Sequence, residues 1–157
     1  MSEFTHLNDS GHARMVDVTH KQPTVRRASA EAFVACAPPV VAALRDGSVP
    51  KGDVLAVARI AGIAAAKRTP ELLPLAHVIG VHGVAVDATV EDDGVRIVAT
   101  ASTADRTGVE MEALTSAAVA ALNVVDMVKG LDKATSIRDV RLLSKEGGKS
   151  GGWTRPS

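Results

Sequence analysis

Polar and apolar residues alternate along several short stretches of the chain, which is the pattern of β-strands that bury one face. Residues 14–19 (RMVDVT) and 24–30 (TVRRASA) alternate roughly, and Gln22-Pro23 between them is typical of a turn. Residues 137–144 (IRDVRLLS) form a similar stretch near the end of the chain. We therefore expect a strand from each of these three segments.

The clearest alternation lies in the middle of the chain. Residues 84–91 (VAVDATVE) and 95–102 (VRIVATAS) are apolar at every second position, and residues 92–94 (DDG) separate them. Acidic residues followed by glycine favour a tight reversal of the chain. These two segments are predicted to form a β-hairpin.

Helical spacing of apolar residues marks two consecutive segments. Residues 38–46 begin with two prolines, which the first turn of a helix tolerates, and Gly47 ends the segment. Residues 54–68 (VLAVARIAGIAAAKR) follow Asp53, a favourable N-cap, and residues 69–70 (TP) mark their end. A short helix and a longer, mostly apolar helix are therefore predicted.

A second long helix is predicted from about residue 111 to residue 131. Taken together, the strands near the start, a helix, the hairpin, a second helix and a final strand give β-α-β-β-α-β, the ferredoxin-like order, with the helix at 38–46 as an extra short helix. We expect the α+β class, with an antiparallel sheet whose helices pack on one face. The opposite face of the sheet is then open to a neighbouring subunit.

The length of 157 residues fits a single domain. Residues 1–12 are polar and lack periodicity, so we expect a flexible N-terminal arm. Residues 13–157 are expected to form the domain, which ends with the glycine-rich tail at 147–152 (GGKSGG).

Charge and composition exclude several classes of protein. Lys plus Arg number 18 and Asp plus Glu number 18, so no overall field attracts nucleic acid or an anionic membrane. The scarcity of aromatic residues removes the stacking platforms that bind single-stranded nucleic acids. Cys36 is the sole cysteine, and no secretion signal is recognisable at the start, which favours the cytoplasm of a reducing cell.

Charged residues, among them Arg59, Lys67 and Asp126, interrupt the longest apolar runs, so none supplies the roughly 20 apolar residues of a membrane span. Because aromatic residues are scarce, Ala and Val are expected to supply most of the side chains of the core. Small side chains let helices approach closely, but each buries little area. We therefore expect a soluble protein that self-associates.

Four charged residues are candidates for chemistry near the ends of the second long helix. Glu110 and Glu112 lie two apart, so they share a side only where the backbone is not helical. Asp126 and Lys129 lie three apart, so they are neighbours on one helix face and can form an acid–base couple. The alternative is that these residues only complement the helix dipole, acids at its start and a lysine at its end.

Lys51 precedes a predicted helix start, where it can bind phosphate, exchange protons or simply lie on the surface. His77 lies in an apolar segment, where a histidine is more often a satisfied core residue than a ligand. His82 follows five residues later, but the pair lacks a third ligand. We therefore predict no metal site, and no cofactor is implied.

Two long stretches resemble one family of enzymes. Residues 107–129 (TGVEMEALTSAAVAALNVVDMVK) and 51–69 (KGDVLAVARIAGIAAAKRT) are similar to sequence blocks of the MoaC family, the cyclic pyranopterin monophosphate synthases of molybdenum cofactor biosynthesis. The resemblance covers residues 5–155 in collinear blocks. It implies conversion of 3′,8-cyclo-7,8-dihydro-GTP, an anionic nucleotide, to cyclic pyranopterin monophosphate with loss of pyrophosphate.

The resemblance also implies the residues of the site. The catalytic set is Lys51, Asp126 and Lys129. The substrate-binding set is Asp17, Lys21, Arg26, Lys67, Leu75, Ala76, His77, Glu110, Met111, Glu112, Lys145 and Lys149. Within this set we expect the arginine and the two tail lysines to bind phosphates, and the histidine and the two glutamates to orient the purine-derived ring and ribose.

The two ends of the second long helix cannot meet within one subunit. A helix rises about 1.5 Å per residue, which separates Glu112 from Asp126 by roughly 21 Å. A site that uses both residues must therefore span an interface. The family implies a homohexamer, a trimer of dimers with its sites at the dimer interface.

The chain departs from the family pattern next to His77. The family reads Leu-Cys-His-Pro at this point, whereas the chain has Leu75, Ala76, His77 and Val78. The alternative function is therefore that of a diverged, non-catalytic oligomer that binds a nucleotide or a pterin.

Overall fold

A five-stranded antiparallel sheet forms the centre of the computed structural model, which describes residues 5–157. Its strands are β1 (Thr24–Ala35), β2 (Gly83–Glu91), β3 (Gly94–Asp105), β4 (Ser136–Glu146) and β5 (Trp153–Thr154). Their order across the sheet is β2-β3-β1-β4-β5. The predicted α+β class and antiparallel sheet are confirmed, and so is the hairpin, which pairs Glu91 with Gly94 at its turn.

Four helices pack against the sheet: α1 (Pro38–Asp46), α2 (Val54–Ala66), α3 (Thr69–Leu72) and α4 (Glu110–Val128). Gly47 ends α1 in the left-handed conformation with φ 73°, and the Asp53 carboxylate caps α2 by accepting a hydrogen bond from Ala56 N. Thr69 and Pro70, predicted to mark the end of α2, also begin the short helix α3. The fold therefore contains two extra short helices, where the sequence predicted one.

Residues 14–19 do not form a strand, contrary to the prediction. The Val16 carbonyl oxygen lies 2.6 Å from His77 Nε2, and the Val18 carbonyl accepts a hydrogen bond from Lys21 N. The Asp17 carboxylate accepts a hydrogen bond from Thr19 N. Carbonyl groups of this segment are thus occupied by hydrogen bonds to His77 and within a turn, and the segment does not pair with a strand of the sheet.

The fifth strand lies at the other end of the chain, where the sequence showed only a tail. The short strand β5 pairs with β4 through Lys145–Trp153 and Ser144–Thr154. The glycine-rich residues 147–152 form the connection between the two strands. The tail is therefore the loop of a short hairpin.

The predicted N-terminal arm contains a small local structure in the part that is described. Leu7 forms an isolated β-bridge with Ala13, and Asn8 N donates to the His12 carbonyl. Residues 1–4 lie outside the described residues. The flexibility of residues 1–12 stays a prediction.

Small side chains allow α2 and α4 to pack closely, as predicted. A Cβ on Gly62 of α2 would lie 3.0 Å from the Ser116 carbonyl oxygen and 3.2 Å from Ala120 Cβ of α4. Gly62 therefore faces the middle of α4, while Lys51, ahead of α2, reaches Asp126 at the end of α4. The two helices run antiparallel on one face of the sheet.

The helix α4 forms much of the core. It has the length and the apolar composition of a membrane span, but half of its apolar window is buried inside the fold. Ala113, Ala117 and Val124 on its inner face are completely buried, and they pack in the same cluster as Ala30 and Ile97 of the sheet. The helix is thus a core element that holds polar residues at its two ends.

Candidate active site

The three residues predicted to be catalytic come together at the carboxyl-terminal end of α4, and we call them the lysine–aspartate cluster. Lys51 lies in the loop before α2, Asp126 in the last turn of α4, and Lys129 directly after that turn. Lys129 Nζ lies 2.7 Å from Asp126 Oδ1, and Lys51 Nζ lies 3.4 Å from Asp126 Oδ2. Two loops that are distant in sequence are therefore joined by one carboxylate.

The cluster is charged and accessible. The hydrogen bond from Lys129, and next the one from Lys51, lower the pKa of the Asp126 carboxyl below its usual value. Lys51 Nζ also donates to the main-chain carbonyl of Asp126 at 2.9 Å, which is one of the unpaired carbonyls at a helix end. The three side chains are each about half exposed. The cluster therefore offers one carboxylate and two ammonium groups to a ligand.

A cavity lies beside this cluster but does not include it. It measures about 460 Å³ and is lined by residues from α1 and from the start of α2, among them Leu44, Gly52 and Leu55. None of the three cluster side chains lines it. This cavity is therefore separate from the three charged groups of the cluster.

A second group of predicted site residues surrounds a small cavity at the opposite end of α4, which we call the glutamate cavity. Its volume is about 160 Å³. It is lined by His6, Leu75, Ala76, His77, Thr107, Gly108, Glu110, Met111 and Glu112. Six of the twelve predicted substrate-binding residues therefore meet in one place.

Glu110 and Glu112 both lie in the first turn of α4, so the inference that they share a side only on non-helical backbone was wrong. They reach the same cavity because it wraps around the start of the helix, and Met111 between them lines it as well. Glu110 Oε1 lies 3.2 Å from Lys145 Nζ. Glu112 is only 3% exposed, and burial raises the pKa of its carboxyl to about 7.

His77 connects the glutamate cavity to a larger open cavity of about 480 Å³. The larger cavity is bounded by residues 15–19, His77, Val78, Asp105 and Arg106. Since His77 Nε2 lies 2.6 Å from the Val16 carbonyl oxygen, it carries the proton and donates it. Asp17 also lines this cavity, and its hydrogen bonds from Thr19 lower the pKa of its carboxyl.

Two predicted phosphate ligands lie close to these cavities. Arg26 Nε donates to the Asp105 carbonyl at 3.3 Å, and its guanidinium lies against Gly148 of the tail loop. Lys145 contacts Ser150 of the same loop as well as Glu110. The tail loop therefore lies beside the glutamate cavity.

The remaining predicted residues are less closely tied to the site. Lys67 ends α2, which runs antiparallel to α4, so it lies at the same end of the helix pair as Glu110. Lys21 contributes its carbonyl oxygen, which accepts a hydrogen bond from Arg106 Nε at 3.0 Å. Lys149 lies within the exposed tail loop. None of these three lines either of the two cavities that His77 joins.

Two residues of the site had not been singled out from the sequence. The Asp105 carboxylate accepts hydrogen bonds from Gly80 N and Arg106 N, which lower the pKa of its carboxyl and tie the loop after His77 to the end of β3. Arg106 adds a guanidinium to the larger cavity. In the sequence, their position immediately before the family-like block at residues 107–129 indicates that they can belong to the site.

The departure from the family pattern is local. Ala76 lines the glutamate cavity, where its methyl group supplies no thiol. Val78 is 83% exposed, and it lines the larger cavity. The loop nevertheless holds His77 at the junction of the two cavities.

Comparisons with known proteins agree on one family. The model of the MoaC family matches residues 15–148. The cyclic pyranopterin monophosphate synthase of Streptomyces coelicolor is 60% identical over 152 residues, covering 97% of this chain and 89% of the relative. Those of Nocardioides sp. and Pelobacter propionicus are 57% and 53% identical, and each comparison covers at least 97% of this chain and 96% of the relative.

Proposed function

Because the chain belongs to the MoaC family and is a cyclic pyranopterin monophosphate synthase of molybdenum cofactor biosynthesis, we propose that Lys51, Asp126 and Lys129 carry the proton transfers of its reaction. The substrate we infer is 3′,8-cyclo-7,8-dihydro-GTP, whose conversion to cyclic pyranopterin monophosphate releases pyrophosphate. This reaction rearranges a ring system and cyclises a phosphate, so it needs acid–base groups together with cations.

The observation that carries this assignment is the position of Asp126 between two lysines from different loops. A carboxylate held ionised by two ammonium groups keeps both of them oriented, and an ammonium group can release or regain a proton during turnover. The same cations attract an anionic nucleotide.

The other predicted residues bind the substrate in this proposal. Arg26, Lys145 and Lys149 bind the phosphates, and Arg26 has the planar guanidinium that suits two phosphate oxygens. His77, Glu110 and Glu112 orient the ring and the ribose. Their common location around the glutamate cavity supports this role.

The proposed site is shared between subunits. Within one chain the lysine–aspartate cluster and the glutamate cavity lie at opposite ends of α4, roughly 21 Å apart along the helix. Exposed apolar side chains on α2 and α4, namely Val57, Ile60 and Leu122, support association with further copies. The assembly we infer is a homohexamer, a trimer of dimers with each site at a dimer interface.

The finer fold assignment and the location are inferred in the same way. The order β1-α2-β2-β3-α4-β4 and the arrangement β2-β3-β1-β4 support a ferredoxin-like fold.

Cytoplasmic location is supported by the lone Cys36, whose thiol pKa is raised to about 11 by burial and by the charge of Asp132. A thiol with this pKa stays protonated and unreactive at neutral pH.

Turnover with the purified protein tests the function directly. The protein is incubated with the cyclic nucleotide, and pyrophosphate and cyclic pyranopterin monophosphate are quantified. We expect stoichiometric formation of both products. Binding of the nucleotide without release of pyrophosphate would instead identify the non-catalytic oligomer suggested by Ala76 and Val78.

A further inference from the structure

Arg106 lies between two residues of the predicted substrate-binding set, Lys21 and Arg26. Its Nε donates to the Lys21 carbonyl at 3.0 Å, and its own carbonyl accepts a hydrogen bond from the Arg26 guanidinium at 3.5 Å. The three residues come from the loop before β1, from β1 itself and from the residues after β3. Three cationic residues from separate segments are therefore neighbours at one end of the sheet.

The Arg106 guanidinium is held in place but not used up. The hydrogen bond to Lys21 engages only its Nε–H, and neither terminal nitrogen donates to a residue that the structure describes. The side chain lines the larger cavity of about 480 Å³ that His77 joins to the glutamate cavity. A planar guanidinium that is anchored through Nε and has free terminal N–H groups suits two oxygens of a phosphate.

The two acids that line the same cavity are engaged elsewhere. The Asp105 carboxylate accepts hydrogen bonds from Gly80 N and Arg106 N, and the Asp17 carboxylate accepts from the amide and the hydroxyl of Thr19. Neither carboxylate forms an ion pair with the Arg106 guanidinium within the described part of the chain. An anion that enters this cavity is therefore attracted to its Arg106 side, next to Arg26, and repelled from Asp17.

The neighbouring subunit adds to this attraction in the proposed assembly. It contributes the partner subunit's Lys51 and Lys129 together with the partner subunit's Asp126, whose carboxylate is already held by both lysines within its own chain. Two ammonium groups and one carboxylate leave an excess of positive charge, which favours an anionic ligand. The role inferred for Arg106 thus has the same sign in the single chain and in the shared site.

We propose that Arg106 binds the two terminal phosphates of the substrate, which leave as pyrophosphate, together with Lys21 and Arg26. This inference rests on the proposed function, because pyrophosphate is the leaving group of that reaction. In the cyclisation a substrate hydroxyl loses its proton to the acid–base groups of the site, and its oxygen bonds to the first phosphorus. The bond from that phosphorus to the bridging oxygen breaks, and the electron pair leaves on pyrophosphate, where the guanidinium stabilises the growing negative charge.

Calorimetric titration with each of the two products, pyrophosphate and cyclic pyranopterin monophosphate, tests the proposal without turnover. Arg106→Ala is expected to bind pyrophosphate at least about tenfold more weakly than the native protein, and the pterin product within about twofold of it. Arg155→Ala is the matched control, because Arg155 Nε also donates to a carbonyl, that of Leu142, but the residue lines neither cavity. The control should bind both products like the native protein.

Three results overturn the proposal. They are native affinity for pyrophosphate in Arg106→Ala, a loss confined to the pterin product, and failure of the native protein to bind pyrophosphate at millimolar concentration.

Arg106→Lys separates contact with the ligand from a structural role. Lysine keeps the charge but lacks the planar fork that reaches the Lys21 carbonyl and a phosphate together, so we expect pyrophosphate affinity between those of the native protein and Arg106→Ala. Both variants should unfold close to the native temperature, because Arg106 is exposed. Equal affinities in the two variants would mean that Arg106 only holds the Lys21 carbonyl, which overturns the proposal. Failure of the native protein to release pyrophosphate from the cyclic nucleotide refutes the proposed function instead, and the titrations decide the role of Arg106 separately.

Discussion

The two ends of α4 carry similar residue types in opposite environments. At its carboxyl-terminal end, Asp126 is exposed, and two lysines lower the pKa of its carboxyl. At its amino-terminal end, Glu112 is buried, and the pKa of its carboxyl is raised to about 7. Solvent exposure and counter-charge outweigh the helix dipole here, because the dipole alone would favour ionised Glu112 at the amino-terminal end and disfavour ionised Asp126 at the carboxyl-terminal end.

The comparison also shows what each end lacks. The lysine–aspartate cluster has positive charge, but its three side chains do not line the cavity beside it. The glutamate cavity has walls on several sides but is predominantly acidic within them. In the proposed function the two ends complement each other across an interface between two copies of the chain.

Breaking the lysine–aspartate cluster has the largest expected effect. Lys51→Ala removes one of the two ammonium groups that hold Asp126, and turnover falls by roughly 10²–10⁴-fold if the residue transfers a proton. Stability changes little, because the pair is exposed. Pyrophosphate release and thermal unfolding of the same preparation measure both effects.

A matched control for this experiment lies near the same helix end. Lys133 is exposed, and no ion pair involves it among residues 5–157. Lys133→Ala is expected to keep native turnover. If Lys51→Ala behaves like Lys133→Ala, the proton-transfer role of the cluster is wrong.

Forcing α2 and α4 apart has the next largest expected effect, which is on the free energy of unfolding. Gly62→Val adds a side chain whose Cβ alone would lie 3.0 Å from the Ser116 carbonyl oxygen, so we expect destabilisation by about 1–3 kcal/mol. Gly130→Ala is the control, because a Cβ there meets no atom within 4 Å. Chemical denaturation of both variants measures the difference, and equal midpoints would mean that α2 and α4 are not held by this contact.

The buried glutamate has the smallest effect on stability, and its sign depends on pH. Since folding raises the pKa of Glu112 from 4.5 to about 7, the folded state holds an extra proton in this window, and stability is lost as the pH rises through it. Allowing for solvent in the cavity, the loss is roughly 1–2 kcal/mol. Glu112→Gln should lack this loss, which denaturation at several pH values measures. Parallel pH dependence in the two proteins would contradict the raised pKa of this carboxyl.

Much of the fold could be predicted from local patterns, and the failures have physical reasons. The hairpin β2–β3 and the caps at Gly47 and Asp53 depend on neighbouring residues, so the sequence indicates them directly. Alternation in residues 14–19 does not reveal that His77 and Lys21 engage the backbone there. The strand β5 is too short to have a recognisable period.

For the candidate site, the family blocks predicted which residues matter but not how they are placed. Asp126 and Lys129 could be paired from their spacing alone, whereas the reach of Lys51 to Asp126 follows from the antiparallel packing of α2 on α4. Local patterns do not indicate Asp105 and Arg106, because their hydrogen bonds join segments that are distant in sequence.

The central claim, that one site takes the lysine–aspartate cluster from one subunit and the glutamate cavity from another, has a direct test. Glu112→Ala and Asp126→Ala are each purified as inactive proteins, mixed in equal amounts and allowed to exchange subunits. A shared site predicts recovery of about one quarter of native pyrophosphate release, because about half of the dimers are mixed and each of these has one intact site. If the mixture is no more active than the separate variants after exchange is complete, the site lies within a single chain and the claim is wrong.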